Sequence, residues 1–232
     1  MNADSGRLKE ELAEQIRERL RYYSSITSMG LRPVSVSEPP ESVAVSQSSE
    51  TLESIREDLG DCTRCKLHKG RQTLVFGVGN PKADLMFIGE GPGYEEDRQG
   101  LPFVGPSGQL LTKIIEAIQL TREEVYIANI VKCRPPSNRD PEPEEIAACR
   151  PFLERQVSSI RPRVICTLGR VATQAMLSTE KALGRVRGQV FSFGDVALVP
   201  TYHPAYLLRD PSKKKDCWED MKLIRALLDE RR

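Results

Sequence analysis

Cys62-Thr-Arg-Cys65 puts two thiols on one tight, charged turn, Cys133 directly follows an apolar run, and Cys149 lies farther on in a helical pattern. Two neighbouring thiolates from a turn and two from separate elements can close a tetrahedral or a cuboidal metal site, so zinc and an iron–sulfur centre give the same ligand count. Unconnected buried thiols are the plainer alternative. The setting Lys132-Cys133-Arg134-Pro135-Pro136 weighs against it, being an odd place for a core residue. Cys166, inside the apolar run VICTL, reads as a small core side chain, and Cys217 has no partner nearby in sequence. His68 could serve a mixed site, but four cysteines already suffice.

A second group of residues could bind an organic ligand. Gly89-Glu90-Gly91-Pro92-Gly93 lets backbone amides approach a ligand closely, with Pro92 stiffening the turn. Its spacing fits neither a dinucleotide fingerprint nor a phosphate-binding P-loop. Glu95, Glu96 and Asp97 add carboxylates, and the stretch GLPFVGPSG at 100–108 presents Phe103 on a glycine-bounded loop. That ring is either a stacking platform or an anchor packed on the core. Asn129 ends an apolar run and offers a donor and an acceptor side by side, which matches the carbonyl and N–H on a pyrimidine edge; a strand-end cap is the bland reading. His203, one of two histidines, precedes Pro204 after the last apolar run and is a candidate catalytic residue.

The elements that must position these groups alternate. Short apolar runs at 84–89, 125–131 and 164–168 predict strands, followed by helical patterns at 107–120, 142–160 and 170–178. A pair of strands near 189–193 and 196–201 is joined by Gly194-Asp195, and a last helix starts near Pro211–Lys213 carrying Trp218, Met221, Ile224, Leu227 and Leu228. A short helix from about Thr51 ends before Gly60. The alternation predicts an α/β chain, with a mostly parallel sheet covered by helices on both faces. The loops at 89–106, 129–140 and 202–210 all leave strand ends, so they are expected to converge on one site. Ahead of this domain, expected over 51–232, apolar residues at Leu8, Leu12, Ile16, Leu20 and Tyr23 predict an amphipathic helix over 1–26, docking on the core or on a partner. A Ser/Pro/Val linker over 27–50 follows it.

The formal net charge of +1 hides a division: residues 1–60 hold 7 basic and 11 acidic side chains, so the remainder is mildly basic. That suits a polyanionic partner without demanding one. No apolar run approaches the ~18 residues of a membrane span, and the polar start lacks a secretory stretch; a cytosolic location is expected, with no membrane partner.

Taken together, CTRC at 62–65, GEGPGYEEDRQGLPFVGPSGQLL at 89–111, YIANIVKCRPPSNRDPEPEEIAAC at 126–149 and HPAYLLR at 203–209 resemble the family 4 uracil-DNA glycosylases, the iron–sulfur branch of that superfamily. The resemblance spans about residues 52–230. It implies a three-layer α/β/α fold with a central sheet of about four strands, and a structural [4Fe–4S] cluster on Cys62, Cys65, Cys133 and Cys149. It also implies a monomer that hydrolyses the bond between uracil and deoxyribose in DNA. Phe103 would stack on the flipped base, Asn129 would read its Watson–Crick edge, and backbone amides at Gly89 and Gly91 would add hydrogen bonds. His203 would stabilise the departing uracil anion, and Glu90 would face the sugar and orient water. In the family 1 enzymes the water-directing Asp stands at the position of Gly91, so Glu90 either acts from a different angle or orients the loop.

The segment Leu207-Leu208-Arg209 resembles the loop that enters the vacated base stack, with Leu207 and Arg209 as DNA-binding residues and Arg209 on phosphate. Lys213, Lys214 and Lys215 would extend that contact or simply form a solvated face. The family usually reads Gly-Glu-Ala-Pro-Gly; Gly91 replaces the alanine, which is expected to leave more room or flexibility beside the base. One alternative is a protein that captures uracil-DNA without turnover, as a superfamily branch does with a histidine in an inserted basic loop. The corresponding 179–188 region has neither histidine nor obvious insertion. Another is a degenerate cluster domain serving a DNA polymerase, which the intact Glu90, Asn129 and His203 argue against.

Overall fold

The computed structural model describes residues 50–230. The helix expected over 1–26, and the linker expected over 27–50 apart from its last residue, lie outside them. Glu50 itself already belongs to the folded domain, where the Arg155 guanidinium grips its carboxylate.

Helix α1 (Leu52–Leu59) has a reciprocal N-terminal cap in which Ser54 N–H donates to Thr51 Oγ1 and Thr51 N–H donates to Ser54 Oγ, both at 3.2 Å. Gly60, at φ +50°, ends it. Ile55 and Leu59, one turn apart, bury against Phe76 and Phe152.

The remaining elements are β1 (Val78–Gly79), β2 (Leu85–Gly89), α2 (Tyr94–Gln99), α3 (Pro106–Ala117), β3 (Tyr126–Asn129), α4 (Pro143–Ile160), β4 (Val164–Leu168), α5 (Arg170–Leu177), α6 (Leu183–Val186), β5 (Phe191–Phe193), β6 (Val196–Thr201), α7 (Pro204–Arg209) and α8 (Lys214–Glu230). They form one six-stranded sheet in the order β1-β3-β2-β4-β6-β5. The middle four strands are parallel, as expected, and the two short outer strands add antiparallel edges.

Central strands read as unbroken apolar runs because helices cover both faces. Met86 and Ile88 of β2 face α4 and α5, contributing to a core with Leu153, Val157, Ala172 and Met176. Leu85 and Phe87 point the other way, toward Leu111 and Ile115 of α3 and Met221 and Ile224 of α8. Each such side chain contributes about 1.5–3 kcal/mol on burial, so the sheet is fixed from both sides. Trp218 departs from the expected apolar stripe of α8 and is exposed, whereas Met221, Ile224 and Leu228 are buried. Among the described residues no helix is long and apolar enough to cross a membrane.

Neighbouring strands β2 and β4 send the chain to opposite sides, β2 on to β3 and β4 on to the β5–β6 pair. Such a switch point opens a crevice at the carboxyl ends of the strands. The three loops singled out in the sequence leave β2, β3 and β6 there.

Candidate active site

Gly89 ends β2 beside Asn129, its register partner on β3. A Cβ on Gly89 would overlap Asn129 Oδ1 and stand 2.6 Å from Phe103 Cζ. The missing side chain is what lets an amide and an aromatic ring close over one strand end. The β2–β3 pairing continues past the strands, with Ile130 N–H donating to Gly89 O at 2.9 Å and Val131 N–H to Glu90 O at 3.1 Å. Asn129 is 2% exposed, yet its Oδ1 has no hydrogen-bond partner among the described residues. The bland strand-end cap would have consumed that oxygen. A buried unsatisfied acceptor costs about 1–3 kcal/mol, which argues for a ligand donor.

Phe103 packs into the core, as the anchor reading expects, and its ring also closes on the Gly89 strand end. Its backbone sits at φ +53°, a strained position for a residue with a Cβ. Several contacts hold it there. Glu96 Oε1 accepts from Val104 N–H and Gly105 N–H, both at 2.9 Å, and Arg122 Nη2 donates to Pro102 O at 3.0 Å. A Cβ at Gly108 would overlap the Phe103 carbonyl, so the start of α3 lies directly against that backbone.

Glu96 was legible in the sequence only as one of three carboxylates. Its role lies in long-range backbone contacts, and the sole signal was an acid eight residues before a glycine-bounded turn. Asp97, 1% exposed, does comparable work on the 71–74 segment, accepting from Gln72 N–H at 2.9 Å and Thr73 N–H at 3.3 Å.

His203 caps α7 and lies 5.6 Å from Phe103, ring to ring. Its Nδ1 accepts from Ala205 N–H at 3.1 Å. The neutral ring must therefore carry its proton on Nε2, which is then its one donor. Burial, reinforced by the Arg209 charge and opposed by Glu96, pushes its pKa down to about 4. Gly169 permits this approach: a Cβ there would lie 2.9 Å from His203 Cβ. Glu90 is shifted oppositely, up to about 7, by burial and by repulsion from Asp140, with Arg170 opposing.

Two expectations change. The side chain of Leu207 is 1% exposed and belongs to the core, because α7 turns Pro204 and Leu207 to the same inner face. Leu208 next to it is 47% exposed, and Arg209 is exposed as well. Leu208 is thus the leucine of this segment that the surface presents. Gly91 does not simply leave empty room, since a Cβ on it would meet Val131 Cγ2 at 2.8 Å. At the same rim, Tyr94 is half exposed with the guanidinium groups of Arg134 and Arg98 against its ring.

The cysteines gather behind β3. Cys133 and Cys149 are buried and Cys65 packs against the same cluster, while Cys62 packs beside Phe76 and Phe152. Cys149 feels the field of Cys65 and Cys62, and Cys133 that of Cys149 and Cys65. Arg71 Nη1 donates to Cys133 Sγ at 3.2 Å and to Cys62 O at 2.7 Å, and Arg64 Nη1 donates to Cys62 Sγ at 3.4 Å. Burial raises the Cys133 thiol to about 11, against the pull of Arg71. Among the described residues no three His, Cys, Asp or Glu side chains are grouped as around a metal ion. All four thiols are free, and two of them, Cys62 and Cys133, receive guanidinium donors, a chemistry that fits thiolate ligands. His68 turns its Nδ1 to Cys65 O at 2.7 Å, while Cys166 and Cys217 are core residues.

The fold and site together define a doubly wound domain with a buried, unpartnered amide oxygen at its strand-end switch point. The model of the uracil DNA glycosylase superfamily matches residues 76–226, and the chain belongs to that superfamily. The type-4 uracil-DNA glycosylase of Saccharolobus solfataricus is 46% identical over 188 residues, covering 77% of this chain and 87% of the relative. That of Thermotoga maritima is 46% identical over 167 residues (71% and 87%), and that of Archaeoglobus fulgidus 43% over 186 residues (77% and 94%).

Gly89→Ala tests the geometry. Its Cβ would push Asn129 and Phe103 apart while leaving β2 paired. Turnover on uracil-DNA is expected to fall by about a hundredfold or more, the scale of an ångström-sized misplacement, with an unchanged far-UV spectrum. Wild-type turnover in this variant would refute the close approach.

Proposed function

We propose that this chain is a uracil-DNA glycosylase, which hydrolyses the N-glycosidic bond of uracil in DNA and leaves an abasic site for base excision repair. The observation that carries the reading is the buried, unpartnered Oδ1 of Asn129 at the Gly89 strand end on which the Phe103 ring also closes, with the His203 ring 5.6 Å from that of Phe103. Uracil stacked in DNA hides its glycosidic bond, so the nucleotide must rotate out into the crevice. Exposed Leu208 would fill the vacated stack, with Arg209, Arg98 and Arg134 near the strand's phosphates. Phe103 would stack on the extruded ring. Asn129 Oδ1 would accept from N3–H while its amide nitrogen donates to O4, and amides at Gly89 and Gly91 would add contacts.

The C1′–N1 bond then breaks with its electron pair going to the base. His203, kept neutral, donates Nε2–H to the uracil oxygen on which negative charge grows. Water adds to C1′ and loses a proton, for which ionised Glu90 is the acceptor and orienting group. Cys62, Cys65, Cys133 and Cys149 would hold a [4Fe–4S] cluster, which when bound braces the fold rather than acting on the base. The pocket comes from one chain, so the reading needs no second copy.

A single-uracil oligonucleotide followed by alkali is expected to yield cleavage at the abasic site; no product would contradict the reading. The single-turnover rate should rise with pH through about 7 as Glu90 ionises. His203 adds no inflection above pH 5, since it protonates only near pH 4. Glu90→Gln should flatten the profile and slow the reaction by about 10²–10⁴-fold. An inflection that survives the substitution assigns the water to another group. For the cluster, a brown protein absorbing near ~400 nm is expected. A colourless, zinc-containing preparation made without oxygen would contradict it.

A further inference from the structure

Arg187 and Asp220 form an ion pair that takes no part in the proposed chemistry. Asp220 is 1% exposed on α8 and takes both arms of Arg187: Oδ2 accepts from Nε at 3.1 Å and Oδ1 from Nη2 at 2.7 Å. The same guanidinium also donates to Asp216 O, one turn earlier on α8. Gly188, at φ +69°, lets the chain pass closely, since a Cβ there would lie 2.9 Å from Asp220 Oδ1. Burying an ion pair is expensive, and apolar side chains in its place are often neutral or better for stability. A plain tether between the end of α6 and α8 therefore needs no charges.

The pair also grips the two residues that lead into His203. Asp220 Oδ2 accepts from the hydroxyl of Thr201, the last residue of β6, at 2.7 Å. Arg187 lies over the Tyr202 ring, 5.2 Å from its centroid. Tyr202 packs in turn on Tyr206 of α7, 5.2 Å ring to ring, and Tyr206 N–H donates to His203 O at 2.9 Å. Gly169 N–H donates to Thr201 O at 2.9 Å, and Gly169 is also the residue that His203 Cβ approaches. Because Nδ1 of His203 is occupied by Ala205 N–H, the ring follows its own backbone. The direction of Nε2–H is thus set by the 201–206 segment.

We propose that Arg187 and Asp220 are positioning residues for His203: one buried ion pair holds Thr201 through its acid and Tyr202 through its guanidinium, and so fixes the aim of the Nε2–H donor. The fixed geometry of a bidentate pair is what an apolar contact between α6 and α8 would not supply. The inference rests on the reading of His203 as the donor to the departing base. Neither residue touches substrate; both act through the backbone that carries the histidine.

The test measures single-turnover base release from oligonucleotides carrying one uracil or one 5-fluorouracil. Fluorine withdraws electron density and makes the departing anion a weaker base, so its release depends less on a donated hydrogen bond. The variants are Asp220→Asn, Thr201→Val, which removes the hydroxyl and leaves the ion pair whole, His203→Ala, and Thr201→Val combined with His203→Ala. His203→Ala is expected to lose more rate on uracil than on 5-fluorouracil. Asp220→Asn and Thr201→Val are expected to share that pattern, with uracil release slowed about tenfold or more by the misplaced donor and 5-fluorouracil release slowed less. Thr201→Val should add nothing to His203→Ala, because the two act as a unit. Thr201→Ser, which restores the hydroxyl, should recover the rate. Equal losses on the two bases in Asp220→Asn and Thr201→Val, or additive losses in the double variant, mark a loosened fold alone and overturn the inference. Wild-type rates in both variants overturn it as well. Equal losses on the two bases in His203→Ala overturn the donor reading and this inference with it. Should Asp220→Asn fail to fold, Thr201→Val decides by the same outcomes.

Discussion

A buried carbonyl oxygen with no donor is an unfavourable thing to build, and the end of β3 carries one in Asn129. The surrounding structure exists to keep that oxygen both dry and free. The strand pairing of Gly89 with Asn129 sets its position, the bare Cα of Gly89 opens the space in front of it, and Phe103 closes one side. A protein donor within reach would make the domain more stable and leave no free acceptor at this strand end.

The cost recurs in the parts that hold the pocket. Phe103 keeps a left-handed backbone because Glu96 takes two consecutive amides beyond it and α3 packs directly against its carbonyl. His203 gives its Nδ1 to a backbone amide, which leaves Nε2–H as a donor of fixed direction, and burial keeps the ring neutral. Glu90 is held near the midpoint of its titration by the same desolvation. Two titratable groups with pKa values displaced in opposite directions at one strand-end crevice support the acid–base roles proposed for Glu90 and His203.

Much of this was legible in the residues. Central strands announced themselves as apolar runs because both faces are covered, and Thr51 and Gly60 marked the ends of α1 because caps are local chemistry. Gly89, Phe103, Asn129 and His203 were visible as unusual types at strand ends. What stayed hidden depends on contacts distant in sequence. The two-residue β1 is too short for any periodicity. Glu96 and Lys132 look like ordinary surface charges until the fold buries them. Leu207 and Leu208 are indistinguishable as types; only the phase of the short helix α7 turns one inward and leaves the other exposed.

The central claim is that Asn129 offers its free oxygen to the N3–H of uracil. Competitive inhibition by free uracil, 1-methyluracil and 3-methyluracil tests it most directly, since the two methyl groups differ only in which ring nitrogen they block. The expected result is that 1-methyluracil inhibits much as uracil does, N1 being the sugar-linked position, whereas 3-methyluracil loses about a hundredfold or more from the lost hydrogen bond and the crowded strand end. Equal inhibition by the two methylated bases would contradict it.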